Sequence, residues 1–172
     1  MPSTFDPLLR LELQATGENA TTWGTKTNNN LNLIAAAIAG ATPLSLSTAD
    51  VSLTEANAAA DQARAGILIL TGTLLNSVNI VVPAQTKTYA VLRQTSGAFG
   101  VTIKNPSGTG ATLAASGADL VVCTTATCVA LVGNLNIQVS TLVTEISVLN
   151  AQVSTLNVQV STLNALNIRI TE

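Results

Sequence analysis

The pentapeptide Gln-Val-Ser-Thr-Leu occurs three times near the C-terminus, at 138–142, 152–156 and 159–163, and it fixes a seven-residue register. Leu135, Leu142, Leu149, Leu156, Leu163 and Ile170 then fall at d, and Val139, Ile146, Val153, Val160 and Asn167 at a. The 4-3 alternation runs unbroken from 135 to 170, so residues 133–172 are expected to form a parallel coiled-coil shaft about 54 Å long, at ~1.5 Å per residue. A strand reading fails because Val and Leu within each repeat stand three apart, not two. Ser, Thr, Asn and Val are weak helix formers, so such a helix depends on partners. Positions g (Gln138, Glu145, Gln152, Gln159) and e (Val143, Asn150, Asn157, Asn164) carry almost no charge, and identical chains are the simplest partners. Val at a with Leu at d favours two strands, while Val143 at e widens the apolar face toward three; the periodicity leaves both open. Asn167, the polar a position, either aligns the strands or marks where the seam ends.

The rest of the composition narrows the function. Of 172 residues only 9% are charged, against about 25% in an ordinary domain. There is no histidine, aromatics are 2%, and mean hydropathy is +0.45. Seven scattered cations against nine acids do not neutralise a phosphate backbone, so nucleic acid is not an expected partner. The longest apolar stretch, Leu33 to Ala41, is far short of the roughly 20 residues a spanning helix needs, so no membrane insertion is expected. The N-terminus lacks a basic, then apolar, leader, which points to assembly in a cytoplasm. A chain this apolar and this uncharged is expected to hide surface by self-association.

Residues 44–132 read as a small β domain. Apolar, mostly β-branched runs at Ile67–Leu70, Val78–Val82, Lys87–Arg93, Ala98–Lys104, Ala111–Ala114, Asp119–Cys123 and Cys128–Val132 alternate with breakers such as Gly72, Pro83, Ser96-Gly97 and Asn105-Pro106. Strands at roughly ten-residue spacing predict a small antiparallel sandwich or barrel. Cys123 and Cys128 fall opposite each other across a four-residue loop. In a reducing cytoplasm two small buried thiols are the expectation, with a cross-strand disulfide as the alternative.

Residues 1–43 read as an arm and a helix. Pro2 and Pro7 favour extended chain, and Leu9, Leu11 and Leu13 alternate as in a short strand. A turn-rich loop surrounds Trp23, and a helix is expected over 27–39, opened by Asn28-Asn29-Asn30 and closed by Gly40 and Pro43. Phe5, Leu8, Leu9, Trp23 and the Leu31/Ile34/Ile38 face are more apolar surface than a free arm exposes, so this region is expected to dock on a larger assembly.

No catalytic constellation is present in the sequence, and neither enzyme activity nor a cofactor or metal is expected. Without His, a serine nucleophile needs a Lys or amine base, and Lys26, Lys87 and Lys104 have no supporting context. The sparse carboxylates (Asp6 with Glu12; Asp50 with Glu55 and Asp61) read as solvated charges and caps. Asp61 and Arg64 read as an ion pair that fixes the start of the β segment.

The stretch Gly17-Glu18-Asn19-Ala20-Thr21-Thr22-Trp23-Gly24-Thr25-Lys26-Thr27-Asn28-Asn29-Asn30-Leu31 resembles the N-terminal region of tail-fibre proteins of tailed bacteriophages, in which Trp-Gly precedes an Asn-rich helix start. Residues 57–65, then Thr88-Tyr89-Ala90-Val91 and Gly97-Ala98-Phe99-Gly100-Val101-Thr102-Ile103-Lys104, are similar to the β domain that follows it in those chains. The resemblance extends over residues 1 to about 132. It implies a virion structural protein, homotrimeric, whose residues 1–43 anchor it on the phage tail or another virion protein, and it implies three strands for the shaft. Receptor-binding fibres carry a distal domain, whereas this sequence ends at Ile170-Thr171-Glu172. Two expectations stand side by side: a separate distal fibre protein as a partner that continues the fibre, or a short spike that binds nothing specific; a capsid-attached head fibre or decoration protein is the alternative expectation for the whole chain.

Overall fold

The computed structural model describes residues 2–171, apart from the side chains of Asn134, Ile168 and Thr171. Met1 and Glu172, at the ends of the expected arm and shaft, lie outside the described residues. The chain divides into two units that meet between Asn134 and Leu135. The fold is β-rich with two helices.

The first unit opens with a two-stranded antiparallel ribbon, β1 (Thr4–Phe5) on β2 (Glu12–Leu13), followed by helix α1 (Trp23–Ala39). Nine strands follow: β3 (Ala41–Ser45), β4 (Val51–Ser52), β5 (Ile67–Thr71), β6 (Val78–Val81), β7 (Lys87–Arg93), β8 (Val101–Lys104), β9 (Ala111–Thr112), β10 (Gly117–Cys123) and β11 (Cys128–Ala130). Helix α2 (Leu131–Thr171) ends the described chain.

Strands β5 to β11 fall on the runs expected from the alternation, whereas β3 and β4 do not and α2 takes over Leu131 and Val132 from the last run; the pairing is not purely antiparallel. One sheet has the order β11-β10-β7-β5-β3 and the other β4-β6-β8-β9. β3, β5 and β7 are parallel neighbours in the first sheet, as are β4, β6 and β8 in the second. The chain therefore winds, crossing from one sheet to the other and back with each pair of strands. The last winding advances by the same number of residues on both sides, with Ile67 beside Ala90, Val78 beside Val101 and Thr73 bridged to Ser96 at the bend. Within these two sheets antiparallel pairing enters only at the end, where β9 turns back on β8 and β10 lies between β7 and β11. Alternation specifies which face of a strand is buried but not which neighbour it takes, which is why the expected antiparallel pairing does not hold.

The winding stacks like side chains. Leu44 lies beside Leu70, Leu68 beside Val91, and Ile80 beside Ile103, all buried. Tyr89 is the one aromatic in this core. The bends need glycine. Gly72 (φ +101) and Gly97 (φ +94) lie against the carbonyl groups of Leu46 and Leu74, one winding earlier, where a Cβ would collide. Pro43, expected to stop α1 from continuing, sits inside β3; β3 is the edge strand, where a missing N–H is tolerated.

Cys123 and Cys128 are directly opposed on β10 and β11 and form a disulfide, which replaces the expected pair of free thiols. The four-residue turn brings the two Cα atoms to 4.0 Å. Asp119, on β10, accepts the Val132 N–H at 2.9 Å and the Gly133 N–H at 3.1 Å, so its carboxylate satisfies the open first turn of α2.

Candidate functional site

Helix α1 starts at Trp23, earlier than expected, and its asparagines do not cap it. Asn30 accepts the Glu12 N–H at 3.1 Å and donates to the Glu12 carbonyl at 2.8 Å, while Asn29 donates to the Ala58 carbonyl at 2.9 Å. The helix is thus tied to the arm on one side and to the loop before β5 on the other. Leu33 is its buried residue, and its last turn lies over Gly66, where a Cβ would meet the carbonyl oxygens of Ala37 and Ile38.

That anchoring leaves the expected docking residues facing outward. Trp23 is 62% exposed, Ile38 75%, and Leu8, Leu31 and Phe5 are exposed as well. Leu9 and Ile34 are half-buried. Phe5 lines an open cleft of about 460 Å³ with Pro7, Arg10, Glu55, Asn57 and Gln85.

Behind that cleft lies a charge cluster. The Asp61 carboxylate accepts from Arg10 Nη2 at 2.9 Å, from Arg64 Nη2 at 3.0 Å and from the Ala56 N–H at 2.9 Å. Burial pushes this carboxyl up, but the Arg10 hydrogen bond, the Ala56 N–H and the two guanidinium charges outweigh it and hold it below the ordinary Asp range. Arg10 also donates to Gln85 Oε1 at 2.8 Å and lies 3.7 Å from Glu55. Lys87 donates to the Arg64 carbonyl at 2.8 Å and sits over the Tyr89 ring; burial, with the nearby Arg10 and Arg64 charges, lowers its pKa. The Asp61–Arg64 pair is the structural pair expected, but Arg10, Gln85 and Lys87 were not foreseen. Their signal is faint: Arg10 interrupts the apolar run Leu8-Leu9-Arg10-Leu11, a place where a cation needs a buried partner.

Glu12, Asp50 and Asp6 are likewise engaged in structural contacts. Glu12 binds Lys26 at 2.9 Å and accepts from Ser3; Asp50 accepts the Asn79 N–H at 2.7 Å; Asp6 accepts the Leu9 N–H. Among the described residues no group of three His, Cys, Asp or Glu is placed to hold a metal ion, and no helix is long and apolar enough to cross a membrane.

The largest uncovered apolar surface lies on α2, a 41-residue helix. Every apolar a and d residue of its seam is exposed, from 48% at Val160 to 74% at Ile170: Leu135, Val139, Leu142, Ile146, Leu149, Val153, Leu156 and Leu163 lie between. Asn167 is exposed at the a position near its end. Side chains at i, i+3, i+4 and i+7 share one face of a helix, so these residues form one continuous stripe.

Compared with known proteins, this chain matches no family model, no curated protein and no solved structure.

Proposed function

We propose that this chain is a non-enzymatic virion structural protein of a tailed bacteriophage. It is a homotrimeric tail fibre, or proximal fibre segment, that docks on the tail by residues 1–43. The observation that carries the assembly part is the stripe from Leu135 to Ile170, exposed along the whole of α2. Burying a Leu or Val side chain is worth about 1.5–3 kcal/mol, and a long helix built from weak helix formers needs that burial to persist. A parallel coiled coil supplies it. Val143 at e, together with the resemblance of residues 17–31 to phage tail fibres, favours three strands over two. Phe5, Leu8, Trp23, Leu31 and Ile38, exposed on the arm and on α1, supply the apolar surface for docking.

Sedimentation equilibrium on the full chain tests the assembly. The expected building block has three times the 17.5 kDa chain mass, and a monomer at micromolar concentration refutes the reading. Labelled protein imaged on particles tests the location: label at the tail supports the tail-fibre role, and label on the capsid points to a head fibre or decoration protein instead.

A further inference from the structure

The a/d seam reaches further back than Leu135. In the same register Val132 falls at a and Leu131 at g, and both are exposed, at 38% and 44%. These two residues join α2 to the first sheet. Val121 on β10 pairs with Ala130 on β11, so Leu131 leaves the strand at the level of Leu120, and the Val132 N–H is held by the Asp119 carboxylate at 2.9 Å. The first turn of the seam is therefore fixed to β10, within the first unit.

The outward face of that sheet is apolar. Ile67, Ala90 and Leu120 form one row across β5, β7 and β10, and Ile69, Leu92 and Ala118 form the next. Side chains alternate along a strand, so Lys87, Arg93 and Asp119 share the other face with the buried Tyr89, Val91 and Val121. Leu120 is 41% exposed and Leu92 36%. The outward face of the second sheet differs: Asn79, Thr102 and Thr112 form a polar row there, beside Lys104.

We propose that the Leu92/Leu120 face is an interface between copies of this chain, through which the first unit of each copy packs on the first units of its neighbours in the bundle. The inference rests on the a/d coiled coil proposed above, and that seam is what selects a second copy as the occupant. In a parallel coiled coil an a residue is enclosed by the facing helix and a g residue lies against it. Val132 and Leu131 thus meet another copy, and Leu120, level with Leu131, begins the apolar row at the point where the neighbouring chain already stands. The two rows carry no charge, so the face does not repel its own copy and offers no anchor to a charged partner.

Sedimentation equilibrium and velocity on the full chain, with thermal melts and circular dichroism, test this. L92K/L120K is expected to keep the mass of the wild-type bundle, to sediment more slowly because its first units separate, and to melt several degrees lower. L92A/L120A, which adds no charge, is expected to shift both readings the same way by less, and it decides the matter if the lysine variant loses its β-sheet signal. S52K, on the outward face of the polar second sheet, is expected to match the wild type. Face variants that sediment and melt like the wild type overturn the proposal. So do variants that melt lower but sediment unchanged, which is a defect within one copy. L149K/V153K tests the seam separately: a drop in mass supports it, and an unchanged mass refutes the seam together with the choice of a second copy for this face.

Discussion

Asp61 holds Arg64 twice: Oδ1 accepts its backbone N–H at 2.7 Å and Oδ2 accepts Nη2 at 3.0 Å, with both side chains 1% exposed. The pair closes the loop just before β5, and the same Oδ2 takes Arg10 from the arm. One carboxylate therefore joins the arm to the winding sheets.

Replacing Asp61 with Asn strands two buried guanidinium charges. Breaking a buried ion pair by removing one partner costs about 3–5 kcal/mol. Denaturant titration of Asp61→Asn is expected to show a loss of that order, whereas Glu55→Gln, whose contact with Arg10 is longer and half-exposed, should cost less than about 1 kcal/mol.

Acid should unfold the first unit partly through the same residue. The folded Asp61 carboxyl titrates below its ordinary value of 3.8, so its contribution is complete above that value and is lost as pH falls through the lower, folded one. Stability followed from pH 7 downward should stay level on this account and then drop below about pH 4. The Asp61→Asn variant should show a shallower acid limb than the wild type.

The bends of the winding make a prediction with an internal control. Gly72→Ala and Gly97→Ala force a Cβ onto a carbonyl at positive φ and should each destabilise by more than about 1 kcal/mol. Gly24→Ala, early in α1 with open space around it, should stabilise by up to about 1 kcal/mol. Thermal melts of the three variants check the opposite signs.

The Cys123–Cys128 bond closes a short loop, and chain entropy assigns such a crosslink about 2 kcal/mol. Reduction, or Cys123→Ser, is expected to lower the melting temperature without unfolding the hairpin, because Val121 still pairs with Ala130 and Val122 with Val129. Far-ultraviolet circular dichroism under reducing conditions checks it.

What was legible in the sequence follows from what alternation encodes. Lys87–Arg93 matches its strand end for end because buried and exposed residues alternate strictly along it. β3 was missed because Pro43 reads as a breaker, and proline's cost vanishes only at an edge that the sequence does not display. The opposition of Cys123 and Cys128 was readable from the loop length; their oxidation was not, because redox state is not a property of spacing. On α2 the a/d stripe was legible because Leu, Val and Ile recur every seven residues there, at spacing no strand would use.

Pro43 has a consequence for polymerisation. A winding sheet is a natural template: each layer offers its backbone groups to the next, and nothing in the geometry of β5 on β3 limits the count. Pro43 cannot donate to an incoming strand, and β4, the corresponding edge of the second sheet, is only two residues long. Strand-by-strand growth is therefore terminated at this edge by covalent structure, so copies can crowd together without their sheets fusing into an open-ended fibril.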